Sequence, residues 1–164
     1  MVNYCKKNKI EIDFLINNAG LLINKTFEEI TVNDFKKIYD VNLFGIVNLI
    51  KNLFGFFSSN AHIINISSIG GVNGSKKFPG LSAYSSSKAA VIALTEVLAE
   101  EYQDGPSFNV LALGAVQTKM LKEAFPDYNA DTKPGDMAKY ILNFAINGNK
   151  LFNGKLISVS NSNP

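Results

Sequence analysis

The sequence predicts an α/β fold, a parallel sheet with helices on its faces, and three observations predict it. Four short apolar runs, at residues 12–17, 62–67, 108–113 and 155–159, are separated by segments long enough for a helix. The runs are nearly continuous in apolar character, as strands covered on both faces are, and crossovers of that length suit parallel pairing. The first three runs also end in small or polar residues: Asn18-Ala19-Gly20, Ser68, and Gly114 to Thr118. Apolar side chains would serve packing better there, and ligands of open parallel sheets bind beyond the carboxyl ends of the strands.

Along the chain, Ile-Asp-Phe-Leu-Ile-Asn at residues 12–17 reads as a buried strand closed by Asn and Gly. Thr31 is placed to cap a helix with Asn33 and Asp34 in its first turn. Phe35, Ile38, Asn42, Ile46, Leu49 and Leu53 follow at three- and four-residue steps and form one stripe, apolar except for Asn42. The second strand follows His62, expected to be its starting residue, and leads into a loop with Gly70, Gly71, Gly74 and Gly80. A second long helix is expected from near Ser82 to about Tyr102, stopped by Asp104-Gly105-Pro106. A third strand at 108–113, a helix from about Gly135 to Ile146 and a last strand at 155–159 complete the pattern.

Composition narrows the function classes. The 164 residues are 46% apolar and 18% charged, enough for one globular core and with no repeat or linker to mark a second. A net charge of +2, carried by scattered lysines with no arginine, gives no stripe for nucleic acid and no guanidinium clamp for phosphate. One cysteine, Cys5, allows no internal disulfide, which fits a cytoplasmic setting. One histidine, His62, makes a metal site or a Ser–His couple a poor expectation. The apolar stretch from Gly45 to Phe57 is interrupted by Asn48, Lys51 and Asn52, so it reads as a buried helix and not a membrane span.

The strongest chemical signal is Tyr84-Ser-Ser-Ser-Lys88 at the start of the second long helix. Four residues apart, the phenol and the ammonium share one helix face. That pair alone recurs by chance in many helices. It gains meaning from its companions, taken in order: Asn17-Asn18-Ala19-Gly20, Asp40-Val41-Asn42-Leu43-Phe44-Gly45, Asn65-Ile66-Ser67-Ser68, Ala83-Tyr84-Ser85-Ser86-Ser87-Lys88, and Asn109 with Gly114-Ala115-Val116-Gln117-Thr118. In this succession the chain resembles the classical short-chain dehydrogenase/reductase family over essentially its whole length.

The resemblance implies a Rossmann-type doubly wound sheet and hydride transfer between NAD or NADP, which the sequence does not distinguish, and a small carbonyl or alcohol substrate. It implies Tyr84 as general acid/base, Ser68 as hydrogen-bond donor to the substrate oxygen, Lys88 as holder of the nicotinamide ribose and depressor of the Tyr84 pKa, and Asn42 as organiser of a water-linked proton relay. Asn18, Ala19, Gly20, Ile66, Gly114, Val116 and Thr118, with Tyr84 and Lys88, are the implied cofactor contacts. It also implies homo-oligomers formed through the two long helices. A purely structural amide bonded to a neighbouring loop is the other account of Asn42.

The sequence departs from the family's pattern in one large respect. Classical members carry a Thr-Gly-x-x-x-Gly-x-Gly turn at a helix start for the pyrophosphate, and no such turn occurs here. The expectation is therefore that residues 1–164 form a single partial Rossmann-type domain, without the first strands and the glycine-rich loop. Weak cofactor binding by this chain alone, or a catalytically inactive remnant serving as an association module, is the alternative reading. A smaller departure is the extra length between Ser68 and Tyr84, where Lys76-Lys77-Phe78-Pro79 bulges.

Overall fold

The computed structural model describes residues 1–161. Four strands, β1 (Ile12–Asn17), β2 (Phe57–Ser68), β3 (Ser107–Leu113) and β4 (Leu156–Val159), form one sheet in the order β1-β2-β3-β4, with every pair parallel. The strands alternate with helices α1 (Val2–Asn8), α2 (Val32–Tyr39), α3 (Gly45–Leu53), α4 (Ser82–Glu101), α5 (Lys119–Ala124) and α6 (Pro134–Asn147). The expected α/β architecture is observed, with the first predicted strand reproduced residue for residue. Two short helices went unread: α1, whose lysines obscure a single buried face at Cys5, and α5, which has no fully buried residue.

Strand periodicity divides the core between the two faces. Ile63, Phe108 and Val110 pack under α3 and α4 through Ile46, Ile50, Val91 and Ile92. Their neighbours Ile64, Ile66 and Leu111 point the other way, against Phe144 and Ala145 of α6. Covering both faces is what makes the central runs read as unbroken hydrophobic sequence.

The helix that carries Asn42 begins as the sequence indicates. Thr31 Oγ1 accepts from the Asp34 amide at 3.1 Å while Asp34 Oδ2 accepts from the Thr31 amide at 3.1 Å, a reciprocal capping box. The Thr31 amide bond, then the Lys25 ammonium at 3.0 Å, hold the Asp34 carboxyl down at about 2. Residues Asp40–Phe44 then form a wide π-helical turn joining α2 to α3. This turn corrects the expected stripe. The extra residue rotates the inward face, so Ile38, Asn42, Ile46, Ile50 and Leu53 are buried and Leu49 is 39% exposed.

His62 also lies elsewhere than expected: β2 begins five residues earlier, and His62 is fully buried in mid-strand. A carbonyl only accepts, so His62 Nδ1 carries the hydrogen it donates to the Ala145 carbonyl at 3.0 Å. Nε2 then accepts from Asn109 Nδ2 at 3.0 Å. Asn109 Nδ2 also donates to the Phe152 carbonyl at 2.9 Å, and Asn109 Oδ1 accepts from the Lys155 amide at 3.0 Å. One neutral imidazole thus ties β2 and α6 to β3 and the start of β4. Burial pushes the His62 pKa below its ordinary 6.5, while the Ala145 carbonyl pulls it up. The folded state therefore binds this proton less well than the unfolded chain. Its contribution to stability is full above about pH 6.5 and declines as pH falls below that value. The melting temperature is expected to drop between pH 7 and pH 5, with a shallower drop in His62→Gln; equal slopes for both proteins would refute this role.

Within the described sheet β1 has a neighbour on one side only. Phe14 and Ile16, on the α6 face of that edge, are 46% and 38% exposed. The one charge on this strand, Asp13, lies near its start, and an open apolar edge with no charge or proline in its middle is a template for another strand. The purified chain is expected to self-associate with rising concentration, and Phe14→Lys to reduce this, as measured by size-exclusion chromatography with light scattering.

Candidate active site

The site assembles at the carboxyl ends of β1, β2 and β3. Ser68 is the last residue of β2, Tyr84 lies in the first turn of α4, and Lys88 follows one turn later. Lys88 is 3% exposed, and its ammonium donates to the Ile66 carbonyl at 2.8 Å. It sits 5.8 Å from the centre of the Tyr84 ring. A buried ammonium held by one carbonyl is poorly compensated, and desolvation lowers the Lys88 pKa to about 8. Its remaining two N–H donors take no partner among the described residues.

Ser68 Oγ accepts from the Gly70 amide at 3.2 Å and faces the Tyr84 phenol. Burial raises the phenol pKa, against the smaller downward pull of the Ser68 hydroxyl. The Lys88 ammonium is drawn to the Ile66 carbonyl and lies 5.8 Å from the ring centre, and with its pKa raised by burial the phenol is neutral and able to donate a proton.

Asn42 is completely buried and fully bonded. Its Oδ1 accepts from the Leu21 amide at 2.7 Å, and Nδ2 donates to the Leu21 carbonyl at 3.0 Å and to Ser87 Oγ at 2.9 Å. Ser87 Oγ in turn donates to the Tyr84 carbonyl at 2.7 Å. The amide thus joins the loop after β1 to the helical turn between Tyr84 and Lys88. Ser87 was not singled out from the sequence. Its place beside Lys88 in a serine-rich stretch offers no signal until Asn42 is brought across from another helix.

Two more contacts seat that helix. Ser67 Oγ donates to the Lys88 carbonyl at 2.8 Å. Gly71 lies so close to α4 that a Cβ there would come 2.7 Å from the Lys88 carbonyl carbon. The glycine-rich loop after Ser68 therefore serves close packing. A buried relay, Asn17 Nδ2 to Asn65 Oδ1 at 2.8 Å and Asn65 Nδ2 to Thr95 Oγ1 at 2.9 Å, locks β1 and β2 to the same helix. Asn17 Oδ1 is buried without a partner.

The implied cofactor contacts divide. Gly20 stands at the centre: a Cβ there would lie 3.7 Å from both Asn42 Oδ1 and Lys88 Nζ, and 3.8 Å from Met120 Cε of α5. Asn18 and Ala19 precede it in the same turn, and Ile66 supplies the carbonyl that anchors Lys88. Gly114 follows β3, where a Cβ would collide with Ser160. Val116 bridges Thr132, and Thr118 caps α5, its Oγ1 accepting from the Leu121 amide at 3.2 Å. The loop after β1 is tied to the end of α5 by Asn24 Nδ2 donating to the Ala124 carbonyl at 2.8 Å. A shallow cavity of about 410 Å³ between residues 26–28 and 78–82 opens just before Tyr84 but is not lined by it. Among the described residues, no cluster of His, Cys, Asp and Glu could hold a metal ion, and no helix is long and apolar enough to cross a membrane.

A family model described as short chain dehydrogenase matches residues 1–129. The chain belongs to the short-chain dehydrogenase family. It is 38% identical to a diacetyl reductase ((S)-acetoin forming) of Staphylococcus aureus over 112 residues, covering 66% of this chain and 42% of that protein. With the 3-oxoacyl-[acyl-carrier-protein] reductase FabG of Thermotoga maritima it shares 29% identity over 162 residues, 90% of this chain and 64% of that one. The ligand-free aldohexose dehydrogenase of Thermoplasma acidophilum superposes with a TM-score of 0.84 at 25% identity, over 96% of this chain and 70% of that structure. The matched region thus spans about two fifths to two thirds of the relatives' length.

Ser87→Ala would leave one hydrogen of the buried Asn42 amide without an acceptor, at a cost of about 1–3 kcal/mol. Urea unfolding should show that loss. Asn42→Leu, which abandons the Leu21 amide and carbonyl as well, should lose more; a variant order reversed from this would contradict the clamp.

Proposed function

We propose that this site reduces a small carbonyl compound, or oxidises the matching alcohol, with a nicotinamide dinucleotide as hydride donor or acceptor. The observation that carries the reading is the convergence of Ser68, Tyr84 and a buried Lys88 on one point beyond the sheet's carboxyl edge. The reductases and dehydrogenases among its relatives support the same reaction class.

A bound nicotinamide would supply or accept the hydride. The two unpartnered N–H donors on the buried Lys88 ammonium fit the hydroxyl pair of a ribose, and Gly20 leaves open the space a Cβ would fill beside it. In the reducing direction, the neutral Tyr84 phenol donates its proton to the substrate oxygen while the Ser68 hydroxyl hydrogen-bonds that oxygen. Asn42 Oδ1 and Lys88 Nζ flank the same point beside Gly20, which supports a proton path through water there. The retained Lys88 charge, 5.8 Å from the ring centre, would stabilise the tyrosinate left behind once bound cofactor keeps water out. A pair of charges about 4 Å apart is worth roughly 4 kcal/mol at an effective dielectric near 20 but about 1 in water.

The chain's coverage of its relatives and the missing phosphate-binding turn support a part within a larger Rossmann-type fold. By itself the chain would hold a nicotinamide dinucleotide weakly. Exposed apolar side chains on α2, α3, the π-helical turn between them and α4 (Val32, Val41, Phe44, Leu49, Val97) support a homo-oligomer packed through these helices. A cytoplasmic location agrees with the lone, buried Cys5. Tyr84→Phe, in a protein carrying the whole fold, should lower the rate of diketone reduction by about 10²–10⁴ while leaving NAD(P)H binding by calorimetry unchanged. Retention of more than about a tenth of the rate would overturn the role of Tyr84 as the acid.

A further inference from the structure

The sequence contains three Asn-Gly pairs, Asn73-Gly74, Asn147-Gly148 and Asn153-Gly154. At such a pair the glycine amide nitrogen can attack the asparagine Cγ, because no β-carbon hinders the approach. The attack requires a free side-chain amide, a glycine N–H not held by a hydrogen bond, and a peptide that can rotate. The three pairs differ in all three respects.

At Asn147-Gly148 the glycine amide donates to the Phe144 carbonyl, and the peptide is locked at the end of α6 with a Gly148 Cβ position only 2.7 Å from the Phe144 ring. Asn147 itself donates to the Asn143 carbonyl at 3.3 Å and accepts from Lys150 at 3.2 Å. At Asn153-Gly154 the glycine amide donates to the Phe108 carbonyl at 2.7 Å, and Asn153 Oδ1 accepts from the Phe108 amide at 2.9 Å. These two side by side bonds to Phe108 hold both reacting groups apart.

Asn73-Gly74 has none of these restraints. Both residues are exposed in a turn from Val72 to Ser75, whose ends are held by the Ser75 amide and Oγ donating to the Val72 carbonyl at 3.4 and 2.9 Å and by Ser75 Oγ donating to the Ile69 carbonyl at 2.6 Å, bonds that leave the Asn73-Gly74 peptide itself unbonded. Neither the Asn73 side chain nor the Gly74 amide makes a hydrogen bond among the described residues. Gly74 has φ +76° and meets no atom within 4 Å on its Cβ side, so its peptide turns without a clash. Lys77 fixes an ammonium on the same turn, donating to the Val72 carbonyl and to Ser75 Oγ at 2.8 Å.

We propose that Asn73 is a site of spontaneous, self-catalysed modification, converting to aspartate and isoaspartate in the loop that joins Ser68 to Tyr84. The Gly74 nitrogen forms a bond to Asn73 Cγ, the Cγ–Nδ2 bond breaks, and ammonia leaves with the displaced proton. Water then opens the imide: breaking the new N–Cγ bond gives aspartate, and breaking the original peptide bond gives isoaspartate. No oxidant or reductant is involved. Either product places a carboxylate on the turn that holds the Lys77 ammonium, and isoaspartate also lengthens the main chain by one methylene. The conversion thus changes charge and length in the segment bordering the candidate active site, whether or not that site performs the proposed reaction.

The folded chain is incubated at neutral pH and body temperature, in parallel with a sample in concentrated urea, and tryptic peptides are followed by mass spectrometry and by isoaspartate-specific methylation. In the folded chain Asn73 should convert at least about tenfold faster than Asn147 or Asn153, whose reaction first needs local opening. In urea the three should converge to within a few-fold, since the folded contacts that separate them are gone. Asn73→Gln should remove the acidic charge variant that accumulates in the folded sample. Equal rates for the three pairs in the folded chain, or an intact Asn73 while either other pair converts, would overturn the proposal.

Discussion

The site depends on keeping one ammonium out of water with a single protein acceptor. A buried cation is stable only when its surroundings are rigid enough to hold its few partners in place. Here the partner is the Ile66 carbonyl at 2.8 Å, and the fall of the Lys88 pKa to about 8 measures how incomplete that compensation is. The consequence is chemical as well as structural. Lys88 keeps most of its charge at neutral pH and has donors left over for a ligand. The neighbouring phenol, pushed up by the same desolvation, stays protonated.

Holding α4 in that position accounts for much of the polar chemistry in the interior. Ser67 binds the Lys88 carbonyl, Asn65 reaches Thr95, and Asn42 reaches Ser87. Two of these donors come from β2 and the third from the turn between α2 and α3, and each would be costly to bury without its partner. The absence of a side chain at Gly71 lets the loop after Ser68 lie directly on the backbone of α4. The polar residues on otherwise apolar faces are thus the fasteners between sheet and helix. The bonds of Asn42 are those of the structural account: its amide fixes the helix that carries Tyr84 and Lys88.

At the opposite end of the sheet, His62 does similar work with a titratable group. One imidazole links Ala145 and Asn109, and Asn109 extends the link to Phe152 and Lys155. The two ends differ in what burial does. The cation at Lys88 is retained with donors to spare in the candidate site, whereas the imidazole at His62 is held neutral and satisfied on both nitrogens.

The sequence alone determined the strand–helix alternation, the capping box at Thr31, the limits of α4 and the family's motifs, because each is written in local spacing and in the backbone preferences of single residues. Spacing also put Tyr84 and Lys88 on one helix face, since a one-turn helical step has fixed geometry, and the family resemblance implied Ser68 beside them. Tertiary structure decided the rest. The π-helical turn at Asp40–Phe44 moved Ile50 inward and Leu49 outward, a choice made by where Asn42 had to meet Leu21 and Ser87. His62 became an interior strand residue because its two partners are 47 and 83 positions away. The direction of the Tyr84 pKa likewise followed from its burial, and no spacing along the chain encodes that.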